Sequence, residues 1–257
     1  MKKSDSTVLF EREGKIGRII LNRPDVLNAV AQTDVERLAE VVDDVDRMND
    51  IRLVTIEGAG KSFSTGIDLK ALSSNKIDVV SLAKPWDYAL RRLETMDKVV
   101  VCLMHGYTMG GGLQLALAAD IRVTTPSAKL SVPANREGLL PSMATFRLAR
   151  YIGLGRARRM ILLGDTVDGV EALRIGLADH MVSEEHRDEE FRKIVDDYMK
   201  ANSAGTRLSK QAMLDCFDQD FDQFVVRNFD RLKKAQRTED FAEAMAAYRE
   251  KRMPNWS

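Results

Sequence analysis

The apolar run Val99 to Met104 passes through Gly110-Gly111-Gly112 into a second apolar segment, Leu113 to Ala119. That passage from strand to helix constrains the fold more than any other part of the chain. A helix starting at the glycines aims free backbone N–H groups at whatever lies in front of it. Glycine has no Cβ, so a ligand oxygen can approach that backbone closely. The turn is therefore suited to hold an oxyanion. Two nucleotide-binding loops are excluded, because the spacing is not G-x-G-x-x-G and no Gly-Lys-Ser/Thr follows. Taken alone, Gly-Gly-Gly also reads as a tight turn with close packing.

The first two thirds of the chain alternate strand and helix signals. Thr7 to Arg12 and Lys15 to Leu21 flank a Glu13-Gly14 turn and read as a hairpin. Asp34 to Met48 carries Val35, Leu38, Val41, Val42 and Val45 at helical spacing. Ile51 to Glu57 reads as a strand, Ser81 to Met96 as a helix, and Ile121 to Thr124 as a further strand. Such alternation predicts a largely parallel sheet with helical crossovers. After Pro141 the signal is helical almost throughout, with segments 146–152, 156–163, 169–175, 185–201, 204–217, 221–236 and 241–251. No low-complexity linker separates the two parts, and no internal repeat is visible.

The chain has 257 residues, with 39 basic against 39 acidic side chains. This length allows one large domain, or one domain with a small appendage. Balanced charge supplies no global field for nucleic acid or an anionic membrane surface, so neither is expected as a partner. Cys102 and Cys216 form neither a metal spacing nor a disulfide framework, and both read as buried thiols in a reducing compartment. Residues 1–6 are polar and no apolar run has signal-peptide or membrane-span length, so the expected location is the cytoplasm. Neither a metal nor a separate cofactor is expected.

A second turn, Lys61-Ser-Phe-Ser-Thr-Gly-Ile-Asp-Leu-Lys70, follows the strand ending near Glu57 and precedes a short helix. Neighbouring parallel strands end side by side, and ligands of such sheets bind outside those carboxyl ends. Two such turns can aim two N–H groups at one oxygen, as stabilising a thioester enolate requires.

Taken together, Leu21-Asn-Arg-Pro24 with Leu27-Asn-Ala29, Phe63 to Asp68, Gly106 to Gly112, Pro133 through Gly138-Leu-Leu-Pro141, Gly164 and Glu250-Lys-Arg252 resemble the enoyl-CoA hydratase/isomerase (crotonase) superfamily. The resemblance runs in order over nearly the whole chain. It implies an α/β fold, a crotonase-like spiral of ββα units over residues 1–200 that carries an acyl-CoA site. Residues 201–257 would form a helical region for trimerisation and CoA cover. The implied ligand is an acyl-CoA thioester, with coenzyme A part of the substrate, and the implied assembly is a homo-trimer or a dimer of trimers. By the same resemblance the oxyanion donors are the N–H groups of Ile67 and Gly111, with Gly110 in the same turn. The adenine and pantetheine arm would lie along Leu27, Ala29 and the Gly66–Lys70 segment, including Asp68. Lys70, and Lys251 from a neighbouring subunit, match positions that face the CoA phosphates. Each is also an ordinary solvated lysine by composition. Val26 stands where many relatives have lysine.

The chain departs from the family at the acid–base pair. Hydratases of this kind carry a glutamate two residues after the last glycine and another after the downstream proline; here those places hold Gln114 and Ala134. Neither side chain accepts a proton at neutral pH, so the two-glutamate hydration is absent. Gln114 can still orient water or a carbonyl; alternatively it is a buried amide satisfied by backbone. Glu137 lies about one helical turn after Ala134 and is either a single base for an isomerase-like proton shift or a charge on an exposed loop. Arg136 offers a guanidinium fork to a substrate carboxylate, which suits decarboxylation or hydrolysis of a diacid thioester. Asp68 also reads as the N-cap of the short helix, and His105 as a strand-end histidine held by backbone. Tyr107 and Thr108 line the glycine turn, and Ser142 and Met143 lie in a loop that reshapes the acyl pocket. Double-bond isomerisation or another non-hydratase reaction through an enolate is the expectation. The alternatives are a hydratase, decarboxylase or hydrolase with a non-standard site, and an acyl-CoA-binding protein without turnover.

Overall fold

The computed structural model describes residues 6–74 and 78–256, which leaves the polar first five residues outside it. The N-terminal hairpin forms as expected. Strand β1 (Val8–Glu13) pairs antiparallel with β2 (Ile16–Leu21), and β2 starts a parallel run through β3 (Leu53–Gly58) and β4 (Val99–Met104). Two crossovers cover one face of that run: α1 (Gln32–Arg47), and then α2 (Leu69–Ser73) with α3 (Val79–Thr95). After β4 the chain makes the short strand β5 (Tyr107–Met109), helix α4 (Gly111–Leu117) and β6 (Ile121–Thr124). Next come β7 (Lys129–Ser131), a 3-10 turn over Pro133–Glu137, and helices α5 (Ala144–Ile152) and α6 (Leu154–Leu162).

The sheet is buried on both faces, which explains the unbroken apolar run of β4. Side chains alternate across a strand. Val100, Cys102 and Met104 therefore join the core under α1 and α3, whereas Val101 and Leu103 face the other way. The five apolar positions read from α1 are all buried there, beside Leu82, Ala89, Leu90 and Leu93 of α3. Burying each such side chain stabilises the fold by about 1.5–3 kcal/mol.

The C-terminal third is less uniformly helical than its sequence implies. Strand β8 (Thr166–Asp168) pairs with β7, helix α7 (Gly169–Ile175) follows, and β9 (His180–Met181) pairs with β6. The six-stranded sheet thus runs β1-β2-β3-β4-β6-β9, and β5-β7-β8 form a second sheet. Strands of two or three residues carry too little periodicity to be read from sequence. Tertiary pairing creates them.

Helix α8 (Arg187–Met199) closes the second face of the large sheet with Phe191 and Val195, one turn apart, against Leu53, Val101 and Leu103. Helices α9 (Ser203–Asp215), α10 (Phe221–Ala235) and α11 (Glu239–Glu250) complete the chain. Lys210 ties α9 to the core. Its buried Nζ donates to Leu93 O at 3.1 Å, Lys98 O at 2.8 Å and Asp120 Oδ2 at 2.7 Å. Of the two thiols expected to be buried, Cys102 is, but Cys216 is exposed because it caps α9 at the surface. Among the described residues, no helix is long and apolar enough to cross a membrane.

Candidate active site

Three loops meet at the carboxyl ends of β2, β3 and β4. The segment after β2 takes a 3-10 turn over Pro24–Val26 and leaves it with Leu27 and Asn28 both at positive φ, 53° and 54°. Asparagine is among the few residues that adopt this region readily. Its buried side chain fixes the next loop: Nδ2 donates to Ala59 O, Ser62 O and Phe63 O, and Oδ1 accepts from Arg23 N. Ser64 completes the frame by donating to Asn28 O at 2.7 Å and accepting from Gly66 N at 3.1 Å.

The same stitching orients Ile67. Val30 N donates to Gly66 O at 2.7 Å and Asp68 N donates to Val30 O at 3.0 Å, a parallel bridge centred on Ile67. In such a bridge the N–H of the central residue points away from the partner segment. The Ile67 N–H accordingly faces the glycine turn. There Gly110 caps α4 and donates to Ser131 O at 2.9 Å, which leaves Gly111 as the first helical residue. A Cβ built on Gly111 would stand 3.5 Å from Gly66 Cα and 3.8 Å from Ile67 N. Neither the Ile67 N–H nor the Gly111 N–H donates to an acceptor among the described residues. Two unpaired donors thus stand on facing loops.

Side chains from three further elements surround these donors. Trp86 of α3 brings Cζ2 within 3.7 Å of the Gly111 Cβ position. Gln114 sits on α4 one turn beyond Gly111; it is buried, and its Oε1 has no hydrogen-bond partner among the described residues. Parallel pairing of Met109 with Ser131 brings the end of β7 beside the glycine turn, and the 3-10 turn follows directly. In a 3-10 helix residues three apart eclipse one another, so Ala134 and Glu137 share a face. Glu137 makes no hydrogen bond or ion pair among the described residues. Glu137 is exposed on this turn, and the desolvation its carboxyl does meet, with no cation to offset it, holds it above the ordinary value.

Other expected residues have prior engagements. Arg136 packs against Gly164 and donates from Nε to Leu163 O at 2.5 Å, so only its terminal amines stay available for a carboxylate. Asp68 caps α2 by accepting from Ala71 N at 3.1 Å and meets Arg23 Nη2 at 3.4 Å. Arg23 also pairs with Asp34 at the start of α1, which fixes the whole entry loop. Leu27 O and Val30 are bonded to Thr65–Asp68, so Leu27 and Ala29 do flank the Gly66–Lys70 segment. Lys70 and Lys251 are exposed and make no ion pair among the described residues. His105 is buried with Nε2 3.2 Å from Gly60 O, and burial lowers its pKa, in keeping with a backbone-held histidine. Tyr107 is exposed, whereas Thr108 is buried with its hydroxyl unpaired. Ser142, at φ 38°, donates to Asp87 beside Trp86 and so ties the loop before α5 to α3.

Asn28, Ser64 and Trp86 are part of this arrangement and escape sequence reasoning. The Asn of Leu27-Asn-Ala29 carries a usable signal for positive φ. Trp86 offers only a helical period. A cavity of about 750 Å³ opens at the opposite, amino ends of β3 and β4, between Ile51–Leu53, Asp97–Val99 and the start of α9, and it shares no residue with these loops.

A sequence profile of the family described as enoyl-CoA hydratase/isomerase matches residues 11–257. The short-chain-enoyl-CoA hydratase of Clostridium acetobutylicum is 30% identical over 250 residues, 96% of each chain. The crotonyl-CoA hydratase of Syntrophomonas wolfei is 30% identical over 255 residues, 97% of each chain. Among solved structures, a putative enoyl-CoA hydratase from Streptomyces coelicolor superposes with a TM-score of 0.93 at 28% identity, covering 98% of this chain and 94% of that one. DspI of Pseudomonas aeruginosa gives a TM-score of 0.90 at 27% identity, covering 98% and 97%. Loop geometry, sequence and fold agree, and the chain belongs to the enoyl-CoA hydratase/isomerase family.

Proposed function

We propose that this protein processes an acyl-CoA thioester by stabilising its enolate between the N–H groups of Ile67 and Gly111. One observation carries the reading: two backbone donors without acceptors on facing loops that hydrogen-bond to each other and to their neighbours. Loss of an α-proton turns the thioester carbonyl into an oxyanion, and fixed donors favour that charge without reorganising. The curated relatives named above act on enoyl-CoA thioesters, which supports the substrate class.

Chemistry beyond the enolate rests on Glu137. A hydratase needs a carboxylate pair to position and activate water, and Gln114 and Ala134 supply none. Glu137 shares a face with Ala134 and has no cation to hold it ionised at low pH. A single carboxyl so placed suits taking a proton from one carbon and returning it to another, a double-bond shift. The CoA arm lies along Leu27, Ala29 and Gly66–Lys70, with Lys70 toward the phosphates. Exposed apolar residues Phe221, Val226, Phe229 and Leu232 of α10 support self-association of the C-terminal helices.

The test is incubation of an acyl-CoA panel in heavy water with mass spectrometry of the thioesters. Deuterium at the α-carbon, with positional isomers accumulating, is the expected result. Hydrated product, its α-carbon deuterated by the D2O added, without positional isomers would favour a hydratase that uses water held by Gln114. Binding without exchange would leave a carrier.

A further inference from the structure

The cavity at the amino ends of β3 and β4 lies at the opposite strand ends from the donor pair. Its volume of about 750 Å³ falls within the range of small-molecule sites, roughly 300–1,000 Å³. The sheet supplies one wall through Ile51, Leu53 and Val99, and the α8–α9 connection and the start of α11 supply the other. Six basic side chains of the described residues line it, and four of them, Lys15, Arg52, Lys98 and Arg237, form no ion pair among those residues. The lining carboxylates are mostly engaged. Asp50 pairs with Arg12 outside the cavity, Asp97 with Arg207 at 3.3 Å and Gln211 at 2.9 Å, and Asp240 accepts from Ala204 N at 2.9 Å. Lys210 is neutralised by Asp120, which lies outside the lining. With those ion pairs set aside, four cations stand against Glu239 and Asp240, an excess of two positive charges.

Two of the four are withdrawn from bulk water. Lys98 is 5% exposed, and its Nζ donates to Asp46 O at 3.1 Å. Burial lowers its pKa, although Asp46, Asp97 and Asp50 oppose that shift. Arg52 spans the two walls: Nη2 donates to Ala201 O at 2.6 Å, while Nε is buried with no partner among the described residues. Buried N–H groups are almost always satisfied, and the guanidinium fork matches the geometry of phosphate oxygens. We infer that this cavity binds a small phosphorylated molecule, with Arg52 bonded to the phosphate and Lys15, Lys98 and Arg237 supplying charge. A phosphate monoester carries about −1.5 to −2 charges at pH 7, which matches the excess, whereas a single carboxylate offsets half of it. The apolar wall, with Tyr198 and Met199 of α8, receives the organic part. The site is independent of the acyl-CoA reading, since it shares no residue with the donor loops. A ligand touching both the sheet and the C-terminal helices ties them together and stabilises the native state.

The experiment is calorimetric titration of the intact protein with inorganic phosphate and with AMP, with and without saturating coenzyme A, against sodium chloride at matched ionic strength. At least one phosphate probe should bind at a single site and raise Tm, coenzyme A should leave that binding unchanged, and chloride should produce neither effect. Arg52→Gln should weaken the binding roughly 10- to 150-fold, the worth of one charge-assisted hydrogen bond. Arg237→Gln removes an exposed charge whose side chain makes no bond among the described residues. It should weaken the binding about 2- to 5-fold, and it serves if the Arg52 variant does not fold. No binding of either probe, or binding that both substitutions leave unchanged, overturns the site. Binding that coenzyme A abolishes assigns the phosphate to coenzyme A's own site and overturns it as well.

Discussion

Gly66→Ala tests the donor pair at a position where a methyl group intrudes between the loops beside Gly111 N. Gly66 has φ +83°, and a Cβ there would stand 2.7 Å from Gly111 N and 2.7 Å from Met109 O. Ordinary contact begins near 3.4 Å. The loops must therefore separate by about 0.7 Å, more than the ~0.5 Å within which a catalytic constellation has to be held. Loss of one oxyanion donor costs about 10²–10³ in rate, so α-proton exchange should fall by that factor. The backbone conformation adds about 1–2 kcal/mol of strain to the fold, which for a chain of this size lowers Tm by roughly 2–8 °C. Gly14→Ala separates the two effects. Gly14 is also at positive φ, +57°, but lies in the β1–β2 turn, where a Cβ meets nothing within 4 Å. It should lose only the stability due to backbone strain and keep full exchange. Parallel heavy-water exchange and thermal unfolding on both variants decide the matter. Exchange by Gly66→Ala within threefold of wild type, at a comparable Tm loss, would refute the placement of the oxyanion at this junction.

Three further outcomes follow from the same geometry. Glu137 works as a base only when ionised, and although the residue is exposed, partial desolvation of its carboxyl raises its pKa above the usual 4.5. Turnover should therefore rise with pH through that higher value, and Glu137→Gln should remove the rising limb with a loss of about 10²–10⁴; a pH–rate profile left unchanged by the substitution rules Glu137 out. Lys210→Met should destabilise the fold by about 3–5 kcal/mol by stranding Asp120. Burial already holds the Asp120 pKa up against the Lys210 charge. A carboxyl with a raised folded pKa contributes stability below its unfolded pKa, near 3.8, and loses it as pH rises through the folded value. The variant's deficit should accordingly shrink on acidification, which thermal melts at several pH values will show. Phe229→Asp places a charge on the exposed apolar face of α10, where Phe229 is 59% exposed. Sedimentation velocity should show assemblies of the wild type and smaller species for the variant, with monomeric wild type as the contrary result.

Much of this protein is legible in its chain because the signals are local. The apolar positions of α1 and the continuous run of β4 fix which faces are buried, and Asp68 caps its helix as its sequence position implies. The glycines mark the turns. The strands β5, β7, β8 and β9 were hidden, since two or three residues carry no period and exist only through pairing with distant partners. Arg136 reads in sequence as an open fork and is instead engaged with Leu163, 27 residues away.

Sequence alone thus determined the family and the layered α/β order, both properties of residue identity at fixed spacing. Tertiary structure decided which groups share a site. Ile67 and Gly111 stand together only because Val30 and Ser131 turn their loops inward. Trp86 joins them from a helix whose pattern showed nothing but burial. Hydrophobic periodicity reports that a side chain faces inward, but the hydrogen bonds it lacks depend on which distant groups arrive beside it.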